Sequence, residues 1–233
     1  MTNEPLTHFV EKQGVDITAI DRIVCGSKYS AVLLKDGHIG VCANLANPVD
    51  LNIETLKTPD LNKIQQRIIL NAYFNAKLNP LNQYEKTVDI FDGIDFKLYK
   101  NIVMAGLFKP LLQKFKENNI TLHVFDRLKK DCLLDPIGNE IETVKKADAV
   151  ILSATSIFNG TFTEIVNNTG NHCHVFLLGP SAIMDRDMFT YKNIKGIYGS
   201  IFELHDERVL DAVKNGQGTR TFLQFGKKVS LCV

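Results

Sequence analysis

The side chains best able to bind a small polar ligand are gathered in two short runs in the second half of the chain. One is Ser153-Ala154-Thr155-Ser156-Ile157-Phe158-Asn159-Gly160-Thr161, and the other is Gly179-Pro180-Ser181-Ala182. Each follows a short apolar run. Hydroxyls and an amide placed before a helix can cap that helix, and can equally present donors to a phosphate or carboxylate. A third turn, Ala105-Gly106-Leu107-Phe108-Lys109-Pro110, has one glycine of a dinucleotide fingerprint and lacks the others. Asp126 stands 20 residues beyond Gly106, the usual offset of a ribose-binding acid. Leu107, Phe108 and Pro110 fill the turn and obstruct a pyrophosphate, so NAD is disfavoured as a cofactor. Asp126 reads equally well as a ligand or as a solvated charge at a strand end.

Metal-ligand signals are sparse. His205, Asp206 and Glu207 open a helix, where acids complement the helix dipole, and capping is favoured over ligation. His172 and His174 would share a strand face, but they precede their strand and lie away from the loops just described. His38 and His123 read as packed or edge histidines within strands. Cys25, Cys42, Cys132, Cys173 and Cys232 are odd in number and widely spaced, unlike a disulfide framework or zinc knuckle, and read as reduced thiols. Asp185 and His205 are the metal-ligand candidates that remain. No Ser-His-Asp order, zincin pair, P-loop or kinase signature is present, so catalytic residues stay unknown.

The elements around these residues change character along the chain. Residues 4–13 suit a helix. Ile17 to Val24, Ser30 to Leu34 and His38 to Ala43 are β-rich, and Asp36-Gly37 between the last two marks a hairpin. Thr58 to Lys77 has helical periodicity, with Pro59 in a first turn and Asn79-Pro80 as the stop. This is a small α+β unit whose sheet has one covered face. Leu81 to Lys100 has weak periodicity and suits a connection. From Asn101 onward short apolar strands (102–105, 121–125, 149–152, 175–178, 197–201) alternate with helices, which argues for a mainly parallel sheet covered on both faces. The tail from Thr221 suits a last edge strand. The fold class expected is α/β: residues 1–85 an α+β domain, 86–100 the connection, 101–233 a Rossmann-like domain. In such a sheet ligands bind beyond the carboxyl ends of the strands, where the polar runs sit.

Composition bounds the partners. The chain of 233 residues has 27 basic and 26 acidic side chains, a net charge of +1, which excludes an electrostatic role on nucleic acid or an anionic membrane. The start lacks the basic and apolar regions of a signal peptide, and no window approaches the roughly 18 apolar residues of a membrane span. A cytoplasmic protein is expected, and a homodimer on base rates.

The run from Ala147 to Thr161, ADAVILSATSIFNGT, together with Gly179-Pro180-Ser181, resembles the two signatures of the heavy-metal chelation family, whose members are largely uncharacterised. Gly106, Phe108 and Pro110 match as well, as do Gly26, Tyr29 and Ala31 ahead of the hairpin and Asn71-Ala72 in the helix. Ala154 replaces a glycine of the family pattern, and Ile183 stands where a proline is usual. The resemblance implies a first domain similar to the enolase N-terminal (capping) domain, a Rossmann-like second domain, and a site in the cleft between them. It implies a role in binding metals or metal chelates, with no defined reaction.

The leading expectation is therefore binding of a small anionic or metal-chelating ligand in the interdomain cleft, with a metal ion or metal chelate as the possible cofactor. Gly106, Phe108, Asp126, Thr155, Asn159, Gly160, Thr161, Gly179, Pro180 and Ser181 would supply the site, with Tyr29 covering it from the first domain. The alternatives are an enzyme acting on a nucleotide-like or amino-acid-derived metabolite, and a non-catalytic subunit with a vestigial pocket.

Overall fold

The protein is described here by a computed structural model covering residues 3–84 and 89–233. The expected boundary at 85/86 lies outside the described residues. Helix α1 (Pro5–Gln13) has its proline in the first turn, where the missing N–H costs nothing. Strands β1 (Ile20–Cys25), β2 (Tyr29–Leu34) and β3 (Ile39–Ala43) form an antiparallel sheet in that order. The β2–β3 turn is made as expected: Gly37 takes φ 93° and donates to the Leu34 carbonyl at 2.9 Å. His38 lies in that turn and not within a strand.

Helix α2 (Ile64–Leu78) crosses the sheet so closely that a Cβ at Gly40 would lie 2.1 Å from the Ala72 carbonyl oxygen. It starts at Ile64 rather than near Thr58. Asp60 accepts from the Asn62 amide at 3.0 Å through its carboxylate and from the Lys63 amide at 3.0 Å through its carbonyl, a local turn that competes with helix.

The expectation of one covered face on this sheet is corrected. Every residue of β3 is buried, because α2 lies on one side and two helices from the end of the chain lie on the other. In these helices, α8 (Glu207–Lys214) and α9 (Thr219–Phe222), Val209, Val213 and Phe222 pack against Ala31, Leu33 and Val41. The sequence carries the reason: β2 and β3 are apolar at consecutive positions, the pattern of a strand buried on both faces.

The second half begins with the short helix α3 (Ile90–Gly93) and then alternates β4 (Ile102–Ala105), α4 (Lys109–Glu117), β5 (His123–Phe125), α5 (Glu140–Lys145), β6 (Ala149–Ser153), α6 (Ser156–Asn159), α7 (Phe162–Asn168), β7 (His174–Leu178), β8 (Ile194–Phe202) and, beyond α8 and α9, β9 (Gly226–Cys232). The sheet order is β5-β4-β6-β7-β8-β9, parallel except for β9, which runs antiparallel to β8 at the edge. Ile102 and Met104 face α4 through Leu111, Leu112 and Phe115. Val103 and Ala105 point the other way, into a cluster that holds Val144 and Ile165 and runs on without a break to Ile68, Ala72 and Leu6 of the first half. The two sheets thus share one core. In the described part of the expected connection, Ile90 and Phe96 are buried against α4.

A stripe of polar residues on α2 and just beyond it joins the halves. Arg67, Asn71, Asn75 and Asn79 recur every four residues and are all buried. Arg67 donates to the Ile157 carbonyl at 3.0 Å and to the Phe158 carbonyl, and pairs with Glu4. Asn71 donates to the Ser181 carbonyl at 2.8 Å, and Asn75 to those of Val41 and Pro180, both at 2.9 Å. Asn79 donates to the Ala182 carbonyl at 3.1 Å and accepts from the Met184 amide at 2.7 Å. Removal of one such side chain leaves buried carbonyls without donors. Asn75→Ala is expected to cost about 2 to 4 kcal/mol, from two orphaned acceptors, measured as a lowered urea midpoint at unchanged slope.

A second tie is ionic. The Asp187 carboxylate accepts from His8 Nε2 at 2.7 Å and from Lys12 Nζ at 2.5 Å, fastening α1 to the turn before β8. The Lys12 hydrogen bond, then that of His8, holds the Asp187 carboxyl below the usual carboxylate range. A depressed folded-state pKa contributes stability that is present above the unfolded value and lost as the pH falls through the folded one. Asp187→Asn should therefore unfold at lower urea than the unsubstituted protein at pH 7, with the gap closing as the pH drops from about 5 toward 2.

Candidate functional site

β4 is flanked by β5 on one side and β6 on the other, so the chain leaves it in opposite directions and the loops after β4 and β6 part there. A cavity of about 430 Å³ opens at this point. Its walls come from both halves. Tyr29, Ala43 and Leu45 stand on one side, and on the other are the turns that follow β4, β5, β6 and β7, with Thr219. Of the residues singled out in the sequence, Tyr29, Gly106, Phe108, Asp126, Thr155, Asn159, Thr161, Gly179, Pro180 and Ser181 line it. Gly160 is not among the lining residues; it ends α6 in the left-handed conformation, φ 82°.

The two metal-ligand candidates lie elsewhere. The His205 backbone N–H donates to the Gly37 carbonyl at 2.9 Å, and its ring sits over the hairpin turn, where a Cβ on Gly37 would come within 2.6 Å of it. Asp185 accepts from the Asp187 amide at 2.8 Å. His172 pairs with Asp148 and His174 with the Tyr99 hydroxyl.

Around the cavity the side chains divide into braces and open groups. Gly106, φ 105°, packs so close to β6 that a Cβ would lie 2.6 Å from that of Ser153. Asp126 is a brace. One oxygen accepts from the Leu107 amide at 3.0 Å and the other from the amides of Leu128 and Lys129 at 3.0 and 3.1 Å, so the carboxylate binds the turn after β4 to the turn after β5. Ser181 is another. Its hydroxyl accepts from the Ala43 amide at 3.0 Å while Asn71 holds its carbonyl, which places it on the seam between halves. Asn159 Oδ1 accepts from the amide and hydroxyl of Thr161 at 3.0 and 2.8 Å.

Other groups keep capacity. The hydroxyls of Ser153 and Thr155 lie 2.8 Å apart. Ser156 contributes to the wall, but its hydroxyl is sealed from the cavity and has no partner among the described residues. No side chain caps the first turn of α4, which opens on the cavity through Phe108, Lys109 and Pro110. Burial pushes the Tyr29 hydroxyl up to about 12, which keeps it a proton donor at neutral pH. Its ring stands edge-on to Phe222, centroids 4.8 Å apart. Three cations line the cavity: Arg127 is held by Glu140 at 2.7 Å and Glu164 at 2.8 Å, Lys109 pairs with Asp131 at 2.8 Å, and Lys129 with Asp126 at 3.5 Å.

This donor set does not fit a bare soft metal ion. No histidine or cysteine lines the cavity, and among the described residues no three His, Cys, Asp or Glu side chains converge to hold an ion. The carboxylates present are engaged by amides or by Arg127. Cys42, buried behind Ala43, has its thiol pushed far up by burial, so it is no thiolate at neutral pH. What the site can do is accept oxygen atoms of an organic ligand through hydroxyls and backbone amides.

Sequence reasoning missed Arg67 and Asn75, and read Asn79 only as part of the helix stop. The signal was available: polar residues every four positions along an otherwise apolar helical segment. Among the described residues no helix is long and apolar enough to cross a membrane.

Comparison with known proteins agrees with this architecture. Two family models, both described as "Putative heavy-metal chelation", match residues 10–82 and 89–232. The fold is similar to the crystal structure of a protein of unknown function from Pyrococcus horikoshii, at 21% identity over 92% of this chain and 93% of that one, TM-score 0.79. It is also similar to that of a protein of unknown function from Desulfitobacterium hafniense, at 15% identity over 99% and 97%, TM-score 0.74. Nothing among curated proteins matches. Since the model that matches residues 89–232 alone spans more than half the chain, the protein belongs to the family described as "Putative heavy-metal chelation".

Proposed function

We propose that the protein binds a small anionic organic ligand, of a kind able to chelate a metal through its own oxygens, in the cavity between the halves. Any metal then arrives already chelated. The observation that carries this reading is the lining of the cavity, which offers hydroxyls and backbone amides but no histidine or cysteine. The volume falls in the range of small-molecule sites, about 300 to 1,000 Å³. Thr155 and the Asn159 amide nitrogen would hydrogen-bond the ligand, the first turn of α4 would favour its negative charge, and Tyr29 would donate from the first half. Gly106 and Gly179 let the backbone approach, while Phe108 and Pro180 give an apolar wall. Asp126 would shape the site from behind, and the family description supports a link to metals.

The test is native mass spectrometry with elemental analysis of protein purified without chelators, followed by titration with ferric citrate and with zinc chloride. The expected result is a retained organic mass, or uptake of citrate with its iron, weakened about tenfold by Thr155→Val. Stoichiometric zinc held without any organic ligand, and unchanged by Thr155→Val, would overturn the reading.

A further inference from the structure

A second cavity, of about 240 Å³, adjoins the first. Phe108, Gly179 and Pro180 line both, so the two spaces are separated by shared walls rather than by a layer of core. Their chemistry differs. Ile90, Leu111, Tyr198 and Val229 make the second cavity mostly apolar. Ser200, 4% exposed, is part of its wall, with its hydroxyl sealed from the space. At its rim Asp89 takes Lys114 and Lys228 at 3.2 and 3.0 Å, so these charges compensate one another.

Gly179 is informative about the partition. Its φ of 128° lies where side-chain-bearing residues are strained, and a Cβ there would stand 3.9 Å from both the Phe108 ring and Ala154. The glycine thus leaves the wall between the cavities bare at the point where Phe108 flanks both. In size the smaller space exceeds the cavity of about 150 Å³ that accepts benzene in an engineered protein core. One planar ring, or a branched aliphatic group of that bulk, would fill it.

We propose that the ligand is two-part: its anionic, oxygen-bearing head occupies the larger cavity and an apolar group the size of one ring passes Phe108 and Gly179 into the smaller one. This rests on the reading of the larger cavity given above and adds the second half of the ligand.

The test compares ethyl phosphate with 2-phenylethyl phosphate, followed by amide chemical shifts of Gly106 and Ser156 for the larger cavity and of Gly199 and Ser200 for the smaller. Both compounds should shift the first pair, and only the phenyl compound the second. The phenyl compound should bind about 10- to 100-fold more tightly, as expected for burial of one ring. Leu223→Trp, which fills the smaller cavity from its rim, should abolish that difference while ethyl phosphate binding persists, a result that also reports an intact fold. If both compounds shift Gly106 and Ser156 with equal affinity and neither moves Gly199, the two-part ligand is wrong and the head-group site stands. If neither compound shifts Gly106 or Ser156, the larger cavity is not an anion site and both readings fall.

Discussion

Carbonyl groups of the loops after β6 and β7 are turned inward toward α2 rather than outward toward water, and the fold depends on their being answered. Loops usually run over the surface because their backbone polar groups need solvent. Here the carbonyls of Ile157, Phe158, Pro180, Ser181 and Ala182 are met by Arg67, Asn71, Asn75 and Asn79, all buried. Made, each such bond contributes only about 1 kcal/mol net; unmade, each costs the full desolvation of its carbonyl. The stripe therefore acts more by excluding other arrangements of the halves than by adding stability. Its spacing of four residues turns slowly around the helix, so one element reaches the β6 loop at its start and the β7 loop at its end.

The hydrophobic pattern carried the architecture well. Strand-rich runs, the Asp36-Gly37 turn, the switch to alternating strands and helices at Asn101 and the edge position of the last strand are all local signals, and local signals survive into the structure. What was not legible depended on contacts between distant segments. The second cover of the first sheet comes from α8 and α9, roughly two hundred residues along the chain from α1, and no periodicity in β2 or β3 names the element that will bury them. The consecutive apolar positions said only that something must.

The same limit explains the site. Residue type and loop position placed ten of the expected residues around one cavity, because the carboxyl ends of parallel strands converge whatever the sequence between them. Their division into braces and open groups could not be read. Asp126 and Ser181 were expected as ligand contacts, yet their oxygens accept from backbone amides of Leu107, Leu128, Lys129 and Ala43. Ser156 sat unremarked in a run of hydroxyls until the fold buried it without a partner. Whether a polar atom is free is a property of the whole hydrogen-bond inventory, and that inventory closes only in three dimensions.

The shared core also constrains how a ligand reaches the cavity. Rotating one half away from the other would separate α2 from the β7 loop, exposing Ile68 and Ala72 and breaking the bonds of Asn71, Asn75 and Asn79 together. Such bonds fail as a set, since each bare carbonyl left behind is paid for separately, so the cost rises with every member of the stripe. A hinge between the halves is thus the expensive route. The mouth of the cavity is made of groups the stripe does not hold: the exposed Lys129 side chain, and the Phe108 ring, which borders both cavities and packs on the cluster under α4. With the halves locked together by the stripe, the polar wall of Thr155 and Asn159 is fixed before a ligand arrives.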